Sequence, residues 1–305
     1  MYIKKILVTG SSGTIGTRLC EILLQKGYTV IGTDIKPNKW YKGVDAITTI
    51  VDLMNKSETL NNLPGDIDMV IHLAAIARAV DLSKNQSIAN NNVLTTSNIL
   101  EYAKLNNINK FIFASSREVY GGFNKSIESE NELSTTSRDN PYASSKIDGE
   151  LLVKDFQKNC GIDYVILRFS NTYGMYDTTD RLIPRFIELC KECKDLPVFG
   201  QDKILDFTYI DDIINGIILS IEKFDSVKND TFNLSSGKGC SIFHVAEIIK
   251  SNFNSDNQIV IEENKRGDVL KFVADITKAK ENLGYTPQTS IENGIKKAIE
   301  WYKKI

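Results

Sequence analysis

An apolar run that leads straight into spaced glycines most narrows what this chain can become. Lys5-Ile-Leu-Val-Thr9 is short and β-prone, and Gly10-Ser-Ser-Gly13-Thr-Ile-Gly16 follows without a break. Ile15, Leu19, Ile22 and Leu23 then fall on one face of a helix. A strand, glycines at 10, 13 and 16, and a helix make the phosphate-binding corner of a dinucleotide site. Gly10 permits the tight turn, Gly13 lets the backbone approach a pyrophosphate, and Gly16 lets helix and strand pack closely. Ser12, Thr14 and Ile15 lie where the helix opens, so their N–H groups and the positive dipole end suit phosphates.

Asp34 closes the next apolar run, Tyr28 to Asp34, at the separation from the glycines that such a corner requires. Its carboxylate would accept hydrogen bonds from ribose hydroxyls and repel a 2′-phosphate. NAD is therefore expected over NADP, with Lys36 as a counterweight.

The same rhythm continues. Met69 to Leu73, Lys110 to Ala114 and Asp163 to Leu167 read as strands buried on both faces. Between them lie helical stripes: Val93, Ile99, Leu100 and Ala103, then Leu151, Leu152, Val153 and Phe156. The pattern predicts an α/β fold with a doubly wound parallel sheet. After Asn171 the rhythm changes, with helices expected over 181–193, 210–223, 242–252 and 291–302. Residues 1–171 plus about 206–223 are expected to form a dinucleotide domain, and the rest of 172–305 a smaller α/β substrate region.

Composition excludes several classes. At 305 residues, 42% hydrophobic and 25% charged, the chain is globular rather than disordered. A net charge of −2 provides no basic field for nucleic acid or an anionic membrane. Five irregularly spaced cysteines make no disulfide framework, and Cys190 and Cys193 lack a second pair for zinc. Two histidines, His72 and His244, cannot build a multi-histidine site, so no metal is expected. With no leader-like N-terminus and no membrane-length apolar run, the reading is a soluble, cytoplasmic protein.

Tyr142 and Lys146 are four apart and share a helix face. A nearby ammonium is expected to lower the tyrosine pKa, making the phenol a base for a sugar hydroxyl. Phe111 to Ser116 is an apolar strand ending in hydroxyls, and ligands collect at such strand ends.

With these segments in view, the chain resembles the NAD-dependent nucleotide-sugar epimerase/dehydratase family, the extended short-chain dehydrogenases/reductases. Matching stretches run in order: 9–16, 52–53, 72–75, 92–93, 115–121, 141–146, 168–174, 206–212, 266–269 and 283–287. The resemblance implies a Rossmann-type domain, bound NAD, a nucleotide-sugar substrate and a homodimer formed through helices near 93–106 and 142–158. It implies Tyr142 as base, Lys146 on the nicotinamide ribose and Ser116 bridging to the sugar oxygen. Asp52 and Leu53 would contact adenine, and Leu73, Ala74, Ala75 and Asn92 would line the cofactor. Asn171 would meet the diphosphate, with Lys203, Lys265 and Arg266 adding positive charge. His72 reads as a strand residue rather than a catalyst.

Family members share oxidation at C4 of the sugar and then diverge. An acidic pair after the serine serves dehydration, but here the pair is Arg117-Glu118, and an arginine cannot act as an acid near neutral pH. Glu118 leaves decarboxylation open, although the arginine which that reaction uses is absent from Phe272-Val273-Ala274. Arg117-Glu118 is either part of the sugar pocket or a solvated ion pair. C4 epimerisation of a UDP-linked sugar leads. Decarboxylation, dehydration or 4-keto reduction is the alternative, and a non-catalytic NAD scaffold is the alternative of another class. Leu205 stands where the family usually has a diphosphate-binding Arg.

Overall fold

The computed structural model describes residues 3–77, 86–121, 129–130, 140–253, 256–263 and 270–305. Seven strands form one parallel sheet: β1 (Lys5–Thr9), β2 (Thr29–Asp34), β3 (Thr48–Ile50), β4 (Met69–His72), β5 (Lys110–Ser116), β6 (Asp163–Phe169) and, from far downstream, β10 (Asp230–Leu234). Their order is β10-β6-β5-β4-β1-β2-β3. The chain thus runs outward from β1 to β3, then crosses back to β4 and runs the other way. The reversal opens a crevice between the C-terminal ends of β1 and β4, where open α/β sheets bind ligands.

Alternation within each strand explains why both faces are covered. Ile6, Val8, Ile71 and Ile112 enter one core, while Leu7, Val70, Phe111 and Phe113 enter the other. Helix α1 (Thr14–Gln25) packs its Leu19, Cys20 and Leu23 into the first core. Two long helices, α4 (Gln86–Leu105) and α5 (Pro141–Cys160), cover the other face. Between α1 and α4 lie α2 (Lys42–Asp45) and α3 (Lys56–Asn61).

The C-terminal region is richer in strands than its sequence suggested. A three-stranded sheet joins β7 (Asn171–Tyr173), β9 (Ile204–Tyr209) and β11 (Gly239–Ser241), and β8 (Leu196–Phe199) pairs with β12 (Ile259–Glu262). The expected helices appear as α6 (Leu182–Lys191), α7 (Ile210–Glu222), α9 (Ile242–Ser251) and α10 (Ile291–Tyr302), with a short α8 (Phe224–Val227). Helix α7 returns to the large sheet and docks on α1, where Arg18 pairs with Asp211 at 2.7 Å. Cys190 is buried in α6, while Cys193 lies exposed beyond its end. Among the described residues no helix is long and apolar enough to cross a membrane.

Candidate active site

The glycine loop is shaped for a ligand that approaches its backbone. Gly10 has φ +72°, and a Cβ there would lie 2.8 Å from the Ala74 nitrogen. A Cβ on Gly16 would lie 2.0 Å from the Gly10 carbonyl oxygen, so helix and turn touch only because it is glycine. Over Gly13, by contrast, a Cβ would meet nothing closer than that carbonyl at 3.3 Å. Gly13 is also the N-cap of α1 and makes no side-chain cap, which leaves first-turn amides available to phosphate oxygens. The hydroxyls of Ser12 and Thr14 donate outward, to Lys36 O at 2.9 Å and Tyr176 O at 3.2 Å. The backbone of the first turn from Gly13, rather than the Ser12 and Thr14 side chains, thus faces the task.

Asp34 ends β2 beside this loop, and its Oδ2 accepts the Ser12 N–H at 2.9 Å. Asp52 caps its own turn through Met54 N at 2.9 Å, and Asn98 pins the Leu53 carbonyl at 2.8 Å. Leu73 and Ala74 follow β4 and are tied to Thr9 by backbone N–H groups at 3.2 Å each. Asn92 grips Ile76 from both sides, at 2.8 and 3.2 Å, and donates its other N–H to Ser145 at 3.2 Å. It supports the wall at Ala75 and Ile76 with an amide whose donors are both committed. These features fit NAD: bare amides for the diphosphate and a carboxylate for the adenosine ribose.

Next to this crevice β5 ends in Ser116, and α5 begins with Asn140 as its cap. Asn140 accepts the Tyr142 N–H at 2.9 Å and donates to Glu118 Oε2 at 2.8 Å. Ser116 accepts the Glu118 N–H at 3.2 Å, and its hydroxyl lies near enough to the Tyr142 phenol to favour the phenolate. Lys146 Nζ lies 5.8 Å from the Tyr142 ring centre and donates to Ala114 O at 2.8 Å. The triad expected from sequence is thus brought together.

One expectation is corrected. Tyr142 is pushed up to about 12 rather than down, because burial strips water from the phenolate and Glu118 repels it. Arg181, Ser116 and Arg117 pull the other way and are outweighed. Spacing alone could not show that Lys146 would direct its proton to a carbonyl. Burial also pushes Lys146 down to about 8, against the pull of Glu150.

On the sugar side, Arg117 is no solvated surface group. Its Nη1 is shut off from solvent, its Nε donates to Asn171 Oδ1 at 3.0 Å, and its guanidinium lies 5.3 Å from the Phe272 ring centre. Asn171 in turn donates to Asp206 O at 2.9 Å, which leaves it one further N–H. Leu205 is buried in the core, so its apolar side chain fills the interior. Lys203 stands half-buried just before β9. Lys265 and Arg266 lie outside the described residues. Arg181, the exposed N-cap of α6, escaped the sequence reading although its charge acts on both Tyr142 and Arg117. Only its place after the β7 loop could have hinted at it. His72 is fully buried between Thr9 at 2.8 Å and Thr96 at 3.2 Å, as suits a strand residue. A separate cavity of about 750 Å³ in the C-terminal region, lined by Phe207, Lys238, His244 and Tyr285 among others, touches none of these residues.

A family profile described as the NAD dependent epimerase/dehydratase family matches residues 6–235. The chain is 32% identical over 323 residues to a UDP-glucuronate 4-epimerase of Thermodesulfobacterium geofontis, covering 98% of this chain and 96% of that one. Among solved structures it is similar to a UDP-glucose 4-epimerase from Thermotoga maritima with UDP-glucose: TM-score 0.91, 28% identity, 98% and 99% covered. It is also similar to a UDP-glucuronic acid 4-epimerase from Bacillus cereus with UDP-glucuronic acid and NAD: TM-score 0.87, 30% identity, 98% and 99% covered.

Proposed function

The chain belongs to the NAD-dependent epimerase/dehydratase family, and within it we propose that it inverts C4 of a sugar carried on uridine diphosphate. The sugar is a hexose, an N-acetylhexosamine or a hexuronic acid. The observation that carries this reading is the convergence of Ser116, Tyr142 and Lys146 beside the glycine loop. Bound NAD supplies the hydride acceptor at C4 and the positive charge of its oxidised ring. With that positive charge and Lys146 offsetting the burial that holds it as a phenol, Tyr142 as phenolate takes the proton of the C4 hydroxyl while Ser116 hydrogen-bonds the same oxygen. Lys146 keeps a positive charge beneath the dyad. Gly13 and the first turn of α1 hold the cofactor diphosphate, and Asp34 holds its ribose. Asp52, Leu53, Leu73, Ala74 and Ala75 line its path. Arg117, Arg181 and the remaining N–H of Asn171 supply the polar wall for the nucleotide sugar. The 4-keto sugar turns over within that wall and is reduced on its other face, so no cofactor is consumed.

Dehydration is disfavoured by Arg117, a permanent cation where an acid is needed. Glu118, held by Asn140, is the residue on which decarboxylation would depend.

The test is an NMR time course of the enzyme with NAD and a panel of UDP-hexoses, UDP-N-acetylhexosamines and UDP-glucuronate. Interconversion of C4 epimers without net NADH supports the reading and identifies the sugar. Pentose with CO2 release would replace it with decarboxylation, and a 4-keto-6-deoxy product with dehydration. No turnover on UDP-sugars would move the panel to GDP-, CDP- and dTDP-sugars, and silence on all of them would leave a non-catalytic NAD scaffold.

The reading includes a cytoplasmic homodimer built on α4 and α5. These helices pack side by side and leave Leu94 45% and Leu151 50% exposed on that face of the sheet. Sedimentation as a monomer at micromolar concentration would remove the dimer.

A further inference from the structure

Tyr142, Lys146 and Glu150 stand four residues apart and share the face of α5 that lies on β5. Each faces one of three adjacent β5 residues. Tyr142 meets the Ser116 hydroxyl, Lys146 donates to Ala114 O at 2.8 Å, and Glu150 Oε1 accepts the Ser115 hydroxyl at 2.6 Å. Arg168 on β6 is the cross-strand partner of Ser115 and closes the unit. Its Nε and Nη2 donate to the two Glu150 oxygens at 2.9 and 2.8 Å, with side chains 1% and 2% exposed. Its Nη1 donates to Tyr120 Oη at 3.1 Å and to Glu130 O at 3.0 Å.

A buried ion pair of this kind adds little net stability, since desolvating both charges offsets their attraction. Its position suggests another use. One turn before Glu150 on the same face stands Lys146, an ammonium that the site encloses. We propose that the Arg168–Glu150–Ser115 unit positions Tyr142 and Lys146, locking α5 onto the end of β5 and holding the Glu150 carboxylate where it keeps Lys146 an ammonium.

The groups facing Lys146 support this. From its own helix come Tyr142 and Glu150, from β4 the buried His72, from β5 the Phe113 ring with its centre 5.1 Å away, and from β6 Arg168, acting through Glu150; Tyr164 on β6 is a neighbour of Glu150. Beyond Tyr142 lie Glu118 and Arg117, and Tyr120 sits on the far side of Arg168. His72 is neutral, pushed down to about 3 by burial and by Lys146 itself. Burial favours the uncharged amine, and among the described residues Glu150 is what pulls Lys146 upward. Glu150 acts through Lys146 and does not touch the reacting atoms, so it is a positioning residue.

The test follows Lys146 directly by 13C NMR of the full chain labelled at lysine Cε, its resonance assigned by loss in K146R. In Glu150→Gln its titration should move down by about one pH unit. A merely structural role predicts the opposite sign. A loosened core admits water, and Lys146 would rise toward about 10.4. Glu150→Gln leaves Arg168 unpaired, so Glu150→Gln/Arg168→Gln serves as the second variant. It buries no lone charge and should still shift Lys146 downward, by less than Glu150→Gln because the Arg168 cation is gone as well. An unchanged or upward titration in the variants would overturn the proposal. The catalytic consequence rests on the proposed epimerisation: the alkaline limb of kcat should move down with the NMR titration while KM stays within about twofold. A downward NMR shift with no sugar turnover would sink the epimerase reading and leave the electrostatic role of Glu150 standing.

Discussion

Around the glycine loop the ligand-facing walls are made of backbone: bare Gly13, the uncapped first turn of α1, and the segment after β4 stitched to Thr9. Around Arg117 they are made of side chains: a guanidinium on an asparagine, an asparagine on a glutamate, and an arginine at the head of α6. The first end recognises a ligand through geometry that few residues allow, and a diphosphate linked to a ribose is what that geometry suits. The second recognises through functional groups that other side chains could replace. That is why one end specifies a cofactor while the other still needs a substrate panel.

The largest effect should come from the joint between the two. Tyr142→Phe keeps the ring and removes the proton acceptor, and turnover should fall about 10²- to 10⁴-fold while NAD affinity stays within a few-fold. Steady-state kinetics and calorimetric titration check it together. Unchanged turnover on every substrate would end the enzyme reading.

Arg117→Gln probes the side-chain end. It removes a permanent cation and its bond to Asn171, so kcat/KM should drop about ten- to a hundredfold. NAD affinity should not follow. Equal weakening of both ligands would show that the two ends act as one.

Asp34→Ala probes the backbone end through its one essential side chain. NAD binding should weaken about tenfold, and NADP should gain relative to NAD because the repulsion of a 2′-phosphate is gone. Cofactor preference unaltered in titrations would remove Asp34 from the ribose.

The same contrast explains what could be read from the residues alone. Gly10, Gly13 and Gly16 were legible because close approach and positive φ leave few substitutes, Asp34 because it closes a strand at a fixed separation from them, and the strands β1 to β6, apart from the three-residue β3, because burial on both faces writes continuous apolar runs. Strand β10 was not legible. Asp-Thr-Phe-Asn-Leu has two large apolar residues, and its place beside β6 depends on a partner more than sixty positions earlier. The direction of the Tyr142 shift was missed because helical spacing shows neighbours and not burial. Arg181 and Asn140 were missed because their relevance comes from the turns that carry them.

The smallest effect concerns His72, which the contrast assigns wholly to scaffold despite its place at the end of β4 beside the cofactor wall. It is buried and neutral, with its pKa pushed down to about 3. In the unfolded chain it takes a proton below about 6.5. The unfolded state therefore binds more protons between those values, and stability rises with pH across that window and is lost as pH falls through it. An asparagine can still reach Thr9 or Thr96 but does not titrate. His72→Asn should be less stable than the wild type at pH 7, and that gap should shrink by about 2 kcal/mol by pH 5 in urea melts. Carboxylates titrate alike in both proteins and cancel. NAD affinity at pH 7 should stay within about threefold. If the gap is constant with pH, His72 is not the buried neutral group described. If NAD affinity collapses while the gap closes as expected, a scaffold residue is shaping the cofactor wall, and the division between backbone and side-chain recognition extends one layer deeper than the loop itself.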